Sequence, residues 1–405
     1  MSSGYELHQK LRTKTVRQLK KKDYEGAIKS LYDGSKQLLS DKEQGSGCDL
    51  ACYLVDVYTQ GQIKSDEQSR TRLVELISLA APDFWRKKVI DASIRWSVAT
   101  TGAPAGDGYL RLAIAEILSK EGDYLASEPH YIAACSPPPA MASSDLFAPH
   151  APKSFACMML DWLAAHASEA TKEPGESRAA ESIERVGAGA FALRGLLPLL
   201  LARAMTNSRA FLNIYISRLV QKHPNLLLPV KPNPKPFSPP GGMPAPESPQ
   251  QLYLTASPDL NFAQMAFAMI SQAVDHKRRT SGARVPDQLR DGWLAIVRQY
   301  EREAGGLDDD YMAEVLPQLG SIYFDIQPSR PQGGNFMQDM LGSLMGGGAG
   351  GGAPGAGSSN QPRTVAVKSA PPPVISKAAD PGQAAAGSAS GPGDASGGGE
   401  DLDLD

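Results

Sequence analysis

No stretch of this sequence is apolar for long enough to cross a membrane, and no apolar h-region follows its first residues. A spanning helix needs about 20 consecutive apolar residues, so neither membrane insertion nor signal-directed secretion is expected. Cysteine is scarce, with only Cys48, Cys52, Cys135 and Cys157. Cys48 and Cys52 lie one helical turn apart, but no second pair stands at metal-ligand spacing. That argues against a disulfide framework or a zinc site and for reduced thiols of a cytosolic protein. The six histidines, His8, His130, His150, His166, His223 and His276, never fall at H-E-x-x-H spacing, so no metal is expected. There is no G-x-x-x-x-G-K-[ST] phosphate loop, no G-x-G-x-x-G after a strand and no G-x-S-x-G elbow. Without a catalytic constellation the chain does not read as an enzyme, and no cofactor is implied. An excess of charge is missing too. There are 41 basic and 44 acidic residues for a net charge of −3, which points to no particular partner.

What the chain has is helical periodicity. Between Asp23 and Leu39 the residues Tyr24, Ala27, Ile28, Leu31, Tyr32, Ser35, Leu38 and Leu39 recur at i, i+3, i+4, i+7 and i+8. That spacing places one apolar stripe on one side of a helix. Such a helix is marginal alone in water, and Tyr5–Leu19 upstream offers a partner, making an antiparallel hairpin. Asp107–Ala134 repeats the arrangement, with Tyr109, Leu110, Ala113, Ile114, Ile117 and Leu118 on its first stripe. Gly122-Asp123-Tyr124 opens the second helix there, as Lys22-Asp23-Tyr24 does in the first pair; Asp before a helix accepts from its free N–H groups. Repeated helical hairpins predict a TPR-like solenoid, all-α, in which each pair buries its face on the next.

Along the chain, Gly45-Ser46-Gly47 reads as a break after the second helix, with the third helix resuming at Asp49–Tyr58. Asp49 would then stand where a helix cap stands. Pro129 predicts a kink or a late start in the helix opened by Tyr124. Leu226–Val230 and Gln251–Thr255 read as two strands of a β-hairpin whose long tip is the proline-rich 231–249. Asp259 is expected to cap the helix that follows. Asn335–Leu344 reads as a final helix. From about Gly346 onward the sequence is Gly, Ala, Pro and Ser with few large apolar residues, too little to offset ordering entropy, so a disordered tail is expected.

One local charge excess stands out. Lys10, Arg12, Lys14, Arg17, Lys20, Lys21 and Lys22 crowd the first helix and its end, against only Glu6 and Asp23. A solvated helix face, a nucleic-acid patch and a docking face for an acidic protein all fit this composition. No aromatic interleaving or reading motif supports nucleic acid, and no nucleic-acid partner is expected.

Five collinear stretches carry a family resemblance. Gly45-Ser46-Gly47-Cys48-Asp49-Leu50, followed by Tyr53-Leu54-Val55-Asp56-Val57-Tyr58, is similar to a G-S-G-x-D-L…Y-L-L-E-V-Y pattern. The others are His8-Gln9-x-Leu11-Arg12-Thr13, Gly122-Asp123-Tyr124 with Glu128, Asp259-Leu260-Asn261-Phe262, and Asn335-Phe336-Met337-Gln338-Asp339-Met340. Together they resemble the Golgi-to-ER traffic protein four family, cytosolic adaptors of tail-anchored protein targeting. The resemblance implies a right-handed helical superhelix with a small β-hairpin near its C-terminal end. It implies a non-enzymatic scaffold that promotes handover of tail-anchored proteins bound for the ER membrane. An N-terminal half, 5–134, would dock the targeting ATPase. A C-terminal half, 135–345, would hold a ubiquitin-like-domain protein, which recruits a co-chaperone, and 346–405 would be the tail. His8, Lys20 and Asp49 match family positions that meet the ATPase, with the cations Lys14, Arg17 and Lys21 nearby. Leu252, Tyr253, Leu254, Leu260 and Phe262 lie where the family's hairpin and following helix hold the ubiquitin-like partner. Against the family pattern the chain starts about one basic helix late, lengthens the hairpin tip over 231–249 and extends beyond Gly346. A helical-repeat scaffold with another partner is the competing expectation.

Overall fold

The computed structural model describes residues 4–136, 147–173, 175–240, 243, 249–303 and 309–327. The expected helix at Asn335–Leu344 and the expected tail lie outside them. The first half runs α1 (Gly4–Lys20), α2 (Tyr24–Ser40), α3 (Gln44–Gln60), α4 (Glu67–Leu79), α5 (Phe84–Thr101), α6 (Gly108–Lys120) and α7 (Tyr124–Cys135). The second runs α8 (Ala151–Ala170), α9 (Ala180–Leu201), α10 (Met205–Lys222), β1 (Lys235–Pro236), β2 (Gln251–Leu252), α11 (Pro258–Arg279), α12 (Asp287–Glu303) and α13 (Asp309–Phe324). Each helix packs on its neighbours along the chain, as the sequence periodicity requires of a helical-hairpin solenoid.

The turns explain why the hairpins repeat. After α1, α2 and α6 the chain places one residue in the left-handed region, namely Lys22, Lys42 and Gly122. The next backbone N–H then reaches back five residues: Asp23 to Gln18 O, Glu43 to Leu38 O and Asp123 to Leu118 O. This turn satisfies carbonyls that the ending helix leaves open. Asp23 and Asp123 go on to cap α2 and α7 by accepting from Gly26 N and Ala126 N.

Two apolar clusters fill the interior. The first takes in Ile28, Leu31, Leu54, Tyr58, Leu73, Trp96 and the α6 residues Leu110, Ile114 and Leu118. The second begins at Ala115 on the same helix and runs through Tyr131, Phe155, Phe191, Phe211, Phe267, Trp293 and Phe324. Polar groups between the helices fix the stacking. Asp107 caps α6 through Tyr109 N and Leu110 N and also accepts from Ser65 Oγ at 2.7 Å and Arg70 Nη1 at 2.9 Å. Arg86 of α5 donates from both terminal nitrogens to the Glu121 carboxylate, at 2.7 and 2.5 Å. From α9, Arg194 Nη2 donates to Glu128 Oε2 of α7 at 2.7 Å, with both side chains fully buried. The Arg194 guanidinium also lies 4.6 Å from the centre of the Trp162 ring.

Several expectations are corrected. Gly45-Ser46-Gly47 does not break the chain; it lies in the first turn of α3, and the break is Asp41–Glu43. The glycine serves close approach instead. A Cβ at Gly47 would sit 2.7 Å from Leu39 Cγ, while Ser35 Oγ donates to Gly47 O at 2.7 Å. Asp49 is therefore inside α3 and caps nothing; Glu43 occupies the cap position, without a side-chain bond. Helix α7 does not start late: it runs from Tyr124 and contains Pro129.

The hairpin forms, but its first strand is not Leu226–Val230. Lys235 and Pro236, inside the expected tip, pair with Leu252 and Gln251, and only an isolated bridge joins Leu227 to Thr255. Between the two, Asn233 stands in for a ladder residue. Its side chain accepts from Leu254 N at 3.0 Å and donates to Leu254 O at 3.0 Å and to Leu228 O at 3.1 Å.

Asp259 is not the cap of α11 either. Ser257 accepts from Leu260 N, and Asp259 lies buried in the first turn, its Oδ1 without a hydrogen-bond partner among the described residues. Burial pushes its carboxyl up to about 6. A carboxyl raised in the folded state favours folding fully below its unfolded pKa, about 4, and loses that contribution as pH rises to about 6. Asp259→Asn removes the penalty on the charged form. Thermal melts are expected to show a gain of a few degrees at pH 7 and none at pH 4; a loss at pH 7 would contradict this.

Candidate functional site: a cationic helix face and a proline-rich hairpin

Helix α1 divides its residues between three faces. Leu7, Leu11 and Leu19 pack against the first apolar cluster, and Leu11 fits into the space left by Gly34 of α2, where an added Cβ would meet its Cδ1 at 2.1 Å. His8 and Arg12, one turn apart, point to α3. His8 Nε2 lies 2.7 Å from Asp49 Oδ2 and Arg12 Nη1 lies 2.6 Å from the same oxygen. A carboxylate only accepts, so the His8 hydrogen in this bond belongs to Nε2. Arg12 also sits 5.4 Å from the centre of the Tyr53 ring. The third face carries Lys10, Lys14 and Arg17, spaced four and three residues apart, which is one side of a helix, and Lys21 follows in the turn just past the helix end. All four are exposed. With Gln9, Thr13, Gln18 and Asp23 they line a groove of about 600 Å³. Among the described residues none of these four cations is paired with a carboxylate.

The structure thus brings His8 and Asp49 together, as one hydrogen-bonded knot with Arg12. It gathers Lys14, Arg17 and Lys21 in one groove. Lys20 is exposed but does not line that groove. Arg12 and Lys10 were not singled out from the sequence as site residues. The signal was there for both: Arg12 follows His8 by four residues, and Lys10 precedes Lys14 by four. Trp85 of α5 lies 3.6 Å from where a Cβ on Gly45 of α3 would sit, and its neighbour Phe84 is largely exposed. Lys88 stands over both rings, at 4.4 and 4.6 Å.

In the second half, Leu260 and Phe262 are buried; Phe262 stacks on Tyr300 at 4.2 Å. Leu252, Tyr253 and Leu254 are half-buried on the hairpin. Gln264 of α11 clamps this arm, accepting from Tyr253 N at 2.7 Å and donating to Tyr253 O at 2.9 Å. Leu228 N donates to Leu254 O at 2.9 Å, and Leu228 and Val230 expose their side chains on the facing arm of the hairpin. The apolar surface here is therefore made by Leu228, Val230 and the β2 arm, while Leu260 and Phe262 support it from beneath. Among the described residues no group of His, Cys, Asp and Glu could hold a metal ion, and no helix is long and apolar enough to cross a membrane.

Comparison with known proteins places this architecture. The crystal structure of C. therm. Get4 superposes with a TM-score of 0.61, covering 85% of this chain and 90% of that one at 24% identity. At that identity the likeness carries the fold alone. Golgi to ER traffic protein 4 of Schizosaccharomyces pombe is 33% identical over 129 residues, 32% of this chain and 42% of that protein. The Golgi to ER traffic protein 4 homolog of Takifugu rubripes is 28% identical over 131 residues, 32% of this chain and 40% of that protein. These alignments thus span about two fifths of each relative's length. The family model for Golgi to ER traffic protein 4 matches residues 21–345. With that model matching well over half of its length, the chain belongs to the Golgi to ER traffic protein 4 family.

Proposed function

We propose that this chain is a non-enzymatic cytosolic adaptor in the targeting of tail-anchored proteins to the ER membrane. Its N-terminal half, 5–134, docks the targeting ATPase, and its C-terminal half, 135–345, holds a ubiquitin-like-domain protein that recruits the co-chaperone handing over substrate. The ATPase hydrolyses nucleotide; this chain positions it. The observation that carries the reading is the row of unpaired cations on α1 in a chain of this family. Exposed, unpaired charges of one sign are little use to the fold, since each repels the next. They suit the capture of an acidic partner surface, where they steer encounter and fix orientation. The knot of His8, Arg12 and Asp49 holds α1 on α3, so the cations are presented from a fixed helix.

The hairpin is the second docking element. Its half-buried Leu254 sits with Leu228 and Val230 above a core that includes Leu260 and Phe262. Interfaces concentrate their energy in a few such apolar anchors. Leu254→Asp places a charge on this surface without cutting the backbone bonds through Asn233 and Leu228. The variant is expected to keep its helical content and lose at least about tenfold in affinity for the ubiquitin-like partner. Titration calorimetry with circular dichroism checks both. A folded Leu254→Asp protein that binds at full strength would remove the hairpin from the interface.

A further inference from the structure

We propose that the cationic groove of α1 binds a segment of this same chain, the acidic stretch Glu400-Asp401-Leu402-Asp403-Leu404-Asp405. The groove presents Lys10, Lys14 and Arg17 of α1 together with Lys21 of the turn that follows. The stretch offers four carboxylates within six residues. Between Gly346 and Gly399 acids are sparse, with only Asp380 and Asp394, so 400–405 is the one dense cluster of negative charge in that part of the sequence.

The surface offers a second concentration of cations, His276–Arg279 at the end of α11, but two of its cations are already paired with carboxylates. Lys277 Nζ lies 2.7 Å from Asp325 Oδ1 and Arg278 Nη2 lies 3.1 Å from Asp275 Oδ1, while Arg279 donates to the carbonyl of Asp275. The α1 cations have no such partners among the described residues, so an acidic segment gains more there.

Reach is sufficient. From α13 to α1 the packing passes through α9, α8, α6, α4 and α2. At about 10 Å between packed helix axes, this is about 60 Å. The 72 residues between Gln327 and Glu400 span up to about 240 Å when extended. Joining segment and groove in one chain also raises their effective concentration above that of separate molecules. Several weak surface ion pairs then suffice where one would not. A segment held there covers the cations assigned above to the ATPase. That consequence rests on the docking reading, whereas the contact itself does not.

The test is zero-length carbodiimide crosslinking of the full chain, alone in low salt, followed by peptide mass spectrometry. The reagent joins a lysine amine to a carboxylate only in direct contact. Adducts from 400–405 are expected on Lys10, Lys14 and Lys21, and to disappear near 0.5 M salt, where the screening length falls to about 4 Å. Arg17→Glu keeps every lysine but reverses one exposed charge at the centre of the groove. It is expected to cut these adducts about fivefold, with the circular dichroism spectrum unchanged. A mixture of isotopically light and heavy protein separates contacts within a chain from contacts between copies. Adducts spread over all surface lysines, adducts only between copies, adducts insensitive to Arg17→Glu, or none at all would each overturn the proposal. No ATPase is present, so this outcome is independent of whether the docking reading holds.

Discussion

Replacing Arg194 by Met is expected to destabilise the protein by about 3–5 kcal/mol, the largest effect of any single substitution considered for this fold. Glu128 and Arg194 are both fully inaccessible and bonded at 2.7 Å. Burial pushes the Glu128 carboxyl up, and the Arg194 charge and hydrogen bond pull it back. Removing the guanidinium leaves that carboxylate buried, with its other oxygen already without a partner among the described residues. The cation over Trp162 is lost with it. The double variant Glu128→Gln with Arg194→Met strands no charge and is expected to recover much of the loss. Melting temperature and hydrogen exchange in α7 and α9 read both proteins. A single variant as stable as the parent would mean that Glu128 is neutral in the native state and the pair is not an anchor between the helices.

Reversing the α1 groove is expected to act on binding, not on folding. Lys14→Glu, Arg17→Glu and Lys21→Glu are fully solvated changes on the side of α1 away from the leucines that pack it. Steered association rises by 10-fold or more over the unsteered rate and falls steeply with ionic strength. The triple variant should therefore bind the ATPase about 10–100-fold more slowly in low salt. The gap should close as salt rises and the Debye length falls below about 8 Å. Stopped-flow association at several salt concentrations makes the comparison. An association rate untouched by three charge reversals would return the groove to a plain solvated helix face.

How far the sequence could be read depends on whether a feature is local. The stripes of α2 and α6 and the caps Asp23 and Asp123 were legible, because periodicity and capping are set within a turn or two. Gly45-Ser46-Gly47 misled, since glycine usually interrupts a helix; at Gly47 it is required by Leu39 of the neighbouring helix, a contact no local pattern reveals. Placing the helix start at Asp49 had the same origin, and it hid the hydrogen bonds to His8 and Arg12 across 41 and 37 residues. In the hairpin the pairing end at Gln251–Leu252 was visible, but the opposing strand lay inside the proline-rich stretch because the Asn233 side chain replaces ladder bonds. Glu128 was noticed as part of a motif, while Arg194, 66 residues away, gave no sign that it would meet it. Leu260 and Phe262 were chosen as binding residues and are buried. An apolar helical stripe reads the same whether a partner or the core covers it.

The adaptor account stands on two docking elements that work at once, one on α1 and one on the hairpin. Analytical ultracentrifugation of the full chain with the purified targeting ATPase and the purified ubiquitin-like protein tests this most directly. The account predicts a single sedimenting complex that contains all three. In that complex Lys14→Glu, Arg17→Glu and Lys21→Glu together remove only the ATPase, and Leu254→Asp removes only the ubiquitin-like protein. Two partners that exclude each other, or a chain that binds neither, would contradict it.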